Sequence, residues 1–418
     1  VPIYVSTSQQ SDCRKNANLK PGYTLVSRPI LFMGLADFLV RSAYQMGKTP
    51  LLPIFAASLG ASDSFVGLII SVSTLTGMIF KPVIGFLSDI WGRRSWLLVG
   101  TAFFTFMPFV YTFVDSTQTL FTVRLVHGFA TAVYGPVSLA YVAERAHDNK
   151  GELLGWFGIA KTSGYVIGPL SAGLLLMYLD PEEVFTLIGI LSSAAFIPVL
   201  LLAENKPSAQ NPRVLSLPRK FLSAIRFGTG SSVVWISGAL EGWVYMAVYA
   251  VKAFLPIYGL AEGFNVFQVG IFFAVQELVH IVINPLGGRL GDKFGYLLTV
   301  VAGMVVIAGA IFYIPSAKQL VTLLTTASVI GVAQALIFPS TLAMISIRFT
   351  GQGIATGMAI SGSLKNAGKV AGPIIAGLLI TMFDYDVTLR GMGLLLASSA
   401  LVLVIALRLR YDPARTRM

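Results

Sequence analysis

Asp37 and Arg41 stand four residues apart, and Glu277 and His280 three apart, each pair inside an otherwise apolar run. Residues at these spacings share one face of an α-helix, so both place an acid beside a base. A carboxylate held in such a pair takes up a proton readily only once the pair has parted, which is the behaviour needed of a group that exchanges a proton for a solute. A permanent structural ion pair, or for Glu277 and His280 a plain hydrogen-bonded pair, has the same spacing. Glu241 is the third acid in an apolar run, and the bases in such runs are Arg41, Lys48, Lys81, Arg124, Lys161, Lys252, Lys365 and Lys369. Lys161 and Lys365 each lie about ten residues into their run, near the middle of ~30 Å of hydrocarbon at 1.5 Å per residue. At that depth two ammonium groups attract a carboxylate or phosphate, or else neutralise Asp37 and Glu241. Lys48 and Lys252 lie nearer the ends of their runs, where a lysine can snorkel. Ionisable groups in hydrocarbon are expensive and mark solute and proton pathways. The candidate proton carriers are therefore Asp37, Glu241 and Glu277 with His280, and the candidate solute contacts are Arg41, Arg124, Lys161, Lys365, Tyr44 and Tyr245. Tyr134, Trp156, Tyr165, Trp235, Trp243 and Tyr249 are further aromatics for an amphipathic pocket, or for packing and interfacial anchoring.

The elements that position these groups follow from composition. Of the 418 residues 55% are hydrophobic and 12% charged, with mean hydropathy +0.76. A water-facing surface needs roughly twice that charge, so the chain reads as an all-α membrane protein. About twelve apolar stretches are each long enough to cross the bilayer as a helix: 29–57, 64–88, 95–114, 118–143, 152–179, 184–203, 231–259, 265–288, 296–315, 319–347, 353–382 and 387–408. The net charge of +11 invites a nucleic-acid reading, but its distribution argues otherwise. With both termini in the cytoplasm, twenty of the thirty Lys and Arg fall on the cytoplasmic side or at its edge, eight lie well within spans, and only Lys318 and Arg390 lie at the outer side or its edge. That is the positive-inside asymmetry of a multi-pass protein of the plasma or inner membrane, with no nucleic-acid partner expected. Residues 1–27 lack the order of a cleavable signal, which makes the first span its own insertion signal. Cys13 is the sole cysteine, and Glu277 and His280 have no third ligand in view, so neither a metal site nor a cofactor is expected.

The chain also repeats itself. Val66-Gly67, Pro82, Gly85, Asp89 and Gly92 recur without a gap as Val269-Gly270, Pro285, Gly288, Asp292 and Gly295. Each copy reads as two membrane helices joined by a tight hairpin. Asp37 and Lys48 correspond to Glu241 and Lys252, and Lys161, Gly164, Gly168 and Pro169 correspond to Lys365, Gly368, Gly372 and Pro373. The polar stretch between the halves contains Asn205, Pro207, Asn211, Pro212 and Pro218 and reads as a linker. The organisation is a tail over 1–27, six-helix bundles over 28–203 and 230–410, a cytoplasmic linker over 204–229, and a tail over 411–418. Two bundles in a parallel repeat form a solute site between halves that rock against each other. In the hairpin, Gly85 allows close helix approach, while Asp89 at a helix C-terminus needs a basic partner such as Arg93 or Arg94. The cluster can latch the bundles in one state and release them in the other, although Arg93 and Arg94 also serve simply as topology charges. The glycines of the fifth and eleventh spans, with their prolines, permit close packing and a bend at the seam. A nucleotide-loop reading of Gly287 to Gly291 fails, since no Lys-Ser/Thr follows.

These motifs resemble those of major facilitator superfamily transporters over Arg28 to Arg410. Gly85, Asp89, Gly92, Arg93 and Arg94 match the family's hairpin signature. The second copy keeps Gly288, Asp292 and Gly295 but has Tyr296 and Leu297 in place of the basic pair. Arg124 and Gly128 match a second signature, and Gly164, Gly168, Pro169, Ala172 and Gly173 a third, which resembles the drug:proton antiporter branch. The resemblance implies a secondary-active, proton-coupled antiporter, working as a monomer, that exports an amphipathic organic solute by alternating access. An organic-anion or lipid-headgroup carrier using Lys161 and Lys365 is the alternative. A non-transporting receptor or assembly factor of this fold has no use for costly buried ions.

Overall fold

The computed structural model describes residues 28–145, 150–203, 232–348 and 352–410. The expected linker over 204–229, both tails and Cys13 lie outside the described residues. Among the described residues there are twelve helical spans. The first runs Arg28–Met46, passes through a wider π-type turn at Gly47–Leu51 and resumes as Leu52–Ser58. The others are Asp63–Trp91, Arg93–Val110, Thr117–Arg145, Lys150–Leu175, Pro181–Ser193 extended by Phe196–Leu200, Ser232–Ala261, Val266–Phe294, Tyr296–Tyr313, Leu320–Arg348, Gln352–Met382 and Tyr385–Arg410. Nine of them are long and apolar enough to cross a membrane on composition alone. The first, fifth and eleventh fall outside that group, and these carry Asp37, Arg41, Lys48, Lys161, Lys365 and Lys369. Large apolar side chains such as Val321, Leu401 and Val402 stay exposed on the perimeter, where lipid is the solvent.

Local sequence explains where the spans bend and stop. The continuous helix expected over 29–57 is broken instead: Thr49 takes an extended backbone (φ −149°, ψ 122°), as a residue ahead of a proline tends to. The sixth span starts at Pro181, with Asp180 and Glu183 forming a capping box. The two repeated hairpins turn on Gly92 (φ +90°) and Gly295 (φ +93°), a left-handed region that favours glycine.

The spans build two six-helix bundles with matching internal packing. The first packs on the fifth, the second on the fourth, and the third on the fourth and sixth; the seventh packs on the eleventh, the eighth on the tenth, and the ninth on the tenth and twelfth. The two most extensive junctions between the bundles are second with eleventh and eighth with fifth, each the repeat of the other, and the first span also touches the seventh and eighth. At their centres a Cβ on Gly67 would run into the carbonyl of Pro373, and one on Gly270 would lie 2.6 Å from the carbonyl of Pro169. The seam is therefore backbone on backbone. Ser71 Oγ donates to the Val370 carbonyl at 2.7 Å, and the Tyr385 hydroxyl donates to the Asp63 carboxylate. These junctions lie toward the end remote from the Gly92 and Gly295 hairpins, so the molecule is closed at that far end.

Candidate functional site

The three buried carboxylates are held very differently. Asp37 is fully buried, and its Oδ1 lies 3.4 Å from Arg41 Nη2 on the same helix face; among the described residues its Oδ2 has no hydrogen-bond partner. Glu241 meets Lys365 at 3.2 Å and accepts a hydrogen bond from Thr341 Oγ1 at 2.6 Å. Glu277 meets Lys252 at 2.6 Å and lies 3.4 Å from His280 Nδ1. Lys252 is thus a partner for Glu277 and does not snorkel away; only the three-dimensional path of the seventh and eighth helices brings the two together.

The corresponding lysines of the two halves have diverged. Lys365 neutralises Glu241, but Asp37 is already served by Arg41, and among the described residues no carboxylate lies within ion-pair distance of Lys161. Arg124 is 2% exposed and is satisfied by neutral groups: Ser73 Oγ at 2.5 Å, the Tyr111 hydroxyl at 3.4 Å and the Ile69 carbonyl at 3.4 Å. The Tyr111 hydroxyl in turn lies 3.1 Å from His127 Nδ1, and the Tyr44 ring stands edge-on to His127, so Tyr44 and Arg124 border one buried polar cluster of the first half. Nothing in the residue spacing singled out His127. Tyr245 stacks on Phe338 with 4.6 Å between centroids, beside Lys365 and Lys369. Of the other aromatics, Trp156 and Trp235 are exposed on the perimeter and Trp243 Nε1 donates to Ser399 at 3.0 Å. Tyr134 packs on Phe104, while Tyr165 and Tyr249 face Lys252.

At the hairpins, Arg93 pairs across the Gly92 turn with Asp89 at the end of the preceding helix, bonds Glu144 at 2.9 Å and Ser88 at 2.6 Å, and Arg94 donates to the Leu200 carbonyl at 2.8 Å. All of these partners belong to the first half. In the second hairpin Tyr296, at the place of the first arginine, donates its hydroxyl to Asp292 at 2.6 Å. Gly85 differs from the expectation of close approach, since a Cβ there meets nothing within 4 Å, and Gly288 has only Pro339 at 3.9 Å; in the second half it is Gly287 that abuts a neighbour, the Ala335 carbonyl. Gly164 and Gly168 also differ: they pack on Arg41, Ser42 and Gln45 of the first span, inside their own half. It is Pro169 and Gly173 that reach the seam, where a Cβ on Gly173 would lie 2.9 Å from the Val266 carbonyl. Among the described residues no group of three or more His, Cys, Asp and Glu is placed to hold a metal.

Residues 31–316 and 243–417 match the family described as Major Facilitator Superfamily. The chain is 24% identical over 380 residues to the multi-drug resistance efflux pump PmrA homolog of Lactococcus lactis, covering 88% of this chain and 92% of that one. It is 23% identical over 347 residues to multidrug resistance protein 1 of Bacillus subtilis, covering 81% and 85%. Among solved structures, the crystal structure of the nucleoside transporter NupG superposes with a TM-score of 0.75 at 15% identity, over 92% of this chain and 99% of that one, a likeness of fold.

Proposed function

The chain belongs to the Major Facilitator Superfamily, and from that premise we propose that this transporter is a proton-coupled antiporter exporting an amphipathic organic solute, working as a monomer with both termini cytoplasmic. The hairpin end then faces the cytoplasm, and the two seams close the outer end. The observation that carries the coupling is the contrast among the buried acids. Glu241 and Glu277 each have two partners, whereas Asp37 has one long contact to Arg41 and a second oxygen with no partner among the described residues. Asp37 is the carboxylate whose charge is least compensated, hence the one most readily exchanged for a proton once movement parts it from Arg41. With the outer side open, the separated carboxylate takes a proton; with the pair re-formed toward the cytoplasm, the proton leaves and the cavity accepts solute. Rocking about the two repeated seams alternates the access. The first hairpin contributes Asp89, which in the closed cytoplasmic state is available to the other half. The names of the Lactococcus and Bacillus relatives support the direction of transport and the breadth of solute.

The test is transport in proteoliposomes under an imposed pH gradient, with cationic, zwitterionic and anionic solutes screened side by side. Asp37→Asn should lower gradient-driven accumulation at least tenfold while solute exchange without a gradient continues. An Asp37→Asn protein that still concentrates solute at the parent rate removes Asp37 from the coupling.

A further inference from the structure

Four ammonium groups converge on two tyrosine rings where the halves meet. Lys369 Nζ stands 4.4 Å from the Tyr245 ring centroid and 5.2 Å from that of Tyr249. Lys365 lies 5.1 Å from Tyr245, and Lys48 and Lys252 lie 4.9 Å and 5.7 Å from Tyr249. Lys48 comes from the first half and the other three from the second. Among the described residues two carboxylates serve this group: Glu241 takes Lys365 and Glu277 takes Lys252. Among the described residues neither Lys48 nor Lys369 has a carboxylate within ion-pair distance, so the cluster holds two ammonium charges with no counter-charge of their own. Lys81 and Lys161 are unpaired in the same sense, and the charges of Lys81 and Lys365 act on both Lys161 and Lys369. Ring faces soften isolated cations, but they carry no net charge and do not cancel repulsion among several ammonium groups at low dielectric.

We infer that the solute is an organic anion, and that Lys48 and Lys369 bind its carboxylate or phosphate group across the junction of the halves, with Lys81 and Lys161 adding attraction from the cleft. This rests on the proposed transport path between the halves and names the solute class that path takes. It also assigns the site to lysines that spacing alone had left aside: Lys48 sits at the broken turn of the first span, and Lys369 one turn beyond Lys365.

The test is equilibrium binding at one fixed pH, using purified protein in phosphatidylcholine nanodiscs and four naphthyl probes that differ only in headgroup: alcohol, amine, carboxylate and phosphate. Calorimetric titration should find the carboxylate and phosphate at least tenfold tighter than the alcohol and amine. Lys369→Gln and Lys48→Gln should each weaken the anionic probes tenfold or more, about 1.4 kcal/mol, while Lys369→Arg and Lys48→Arg hold them near the parent value. Absence of preference for the anionic probes, or unchanged anion affinity in both Gln variants, overturns the assignment. If Lys369→Gln does not fold, Lys48→Gln in the other half and the headgroup series on the parent protein decide it. Repeating the titration with phosphatidylglycerol in the disc identifies the source: competition means a lipid headgroup reaches the site, and no competition means a soluble anion. No gradient is applied, so a failure of proton coupling leaves this result untouched, and the reverse holds too.

Discussion

The two halves agree in their packing and disagree in their charges. Gly67 meets the Pro373 carbonyl as Gly270 meets that of Pro169, and the same helix pairs associate within each bundle. Yet the first half pairs Asp37 with Arg41 along one helix, while the second pairs Glu241 with Lys365 across two and adds Glu277 with Lys252. The hairpins diverge in the same sense, with an arginine network in one and a tyrosine to Asp292 in the other. Two seams that open and close together must stay geometrically equivalent. A cleft between them is under no such constraint, so its ionic groups are free to specialise.

The largest effect should come from breaking the part that is symmetric. Gly270→Leu drives a side chain into the Pro169 carbonyl, and Gly67→Leu does the same at Pro373, where only backbone could give way. Each should lower transport at least tenfold and hold the far end open. The readout is the labelling rate of Ser71→Cys, in a Cys13→Ser background, by a membrane-impermeant thiol reagent; Ser71 is 2% exposed here. Gly309→Ala, whose added methyl meets nothing within 4 Å, is the control. Parent transport and parent labelling in both leucine variants would mean that this seam is not what moves.

A middle-sized effect separates the corresponding lysines. Lys365→Gln leaves Glu241, 8% exposed in its side chain, with Thr341 as a neutral partner. Stranding a buried charge costs about 3–5 kcal/mol, and the lower end applies because Lys365 itself is 31% exposed. Lys161→Gln strands no carboxylate and should change thermal stability by less than about 1 kcal/mol. Thermal melts of the two variants in the same detergent compare them directly. Equal losses would show that the ionic asymmetry between the halves is only apparent.

The pattern of what was legible follows from the same physics. Span number, the repeat and the Gly92 and Gly295 turns were readable because hydropathy and glycine conformation are local properties. The Asp37–Arg41 and Glu277–His280 contacts were readable because helical spacing fixes them. Lys252 with Glu277, and Lys48 beside Tyr249, were not, since they depend on how helices from distant parts of the chain approach one another. The break at Thr49 did carry a local signal, the proline that follows it. Gly164 and Gly168 were assigned to the wrong surface because a small residue announces close packing without naming the neighbour.

The smallest effect concerns a charge pair outside the bilayer. Lys318 Nζ lies 2.5 Å from Glu262 Oε2 at the far end of the second half, and among the described residues the far end of the first half has no counterpart. The hydrogen bond from Lys318 is the main reason the Glu262 carboxyl lies below its ordinary value, with the Tyr258 hydroxyl helping and desolvation opposing. A carboxyl depressed in the folded state contributes stability that is fully present above its unfolded value, ~4.3, and is lost as the pH falls through the folded one. Lys318 is 53% exposed and Glu262 26%, so solvent screens the pair and its worth is under about 1 kcal/mol. Lys318→Gln should therefore lower the melting temperature by only about 1–2 °C at pH 7. The difference should shrink in 1 M salt and vanish once Glu262 is protonated. A loss of several degrees that persists in acid would mean that Lys318 acts through packing on Tyr258, 5.8 Å from its ammonium, and that the second half gained a structural staple where the first has none.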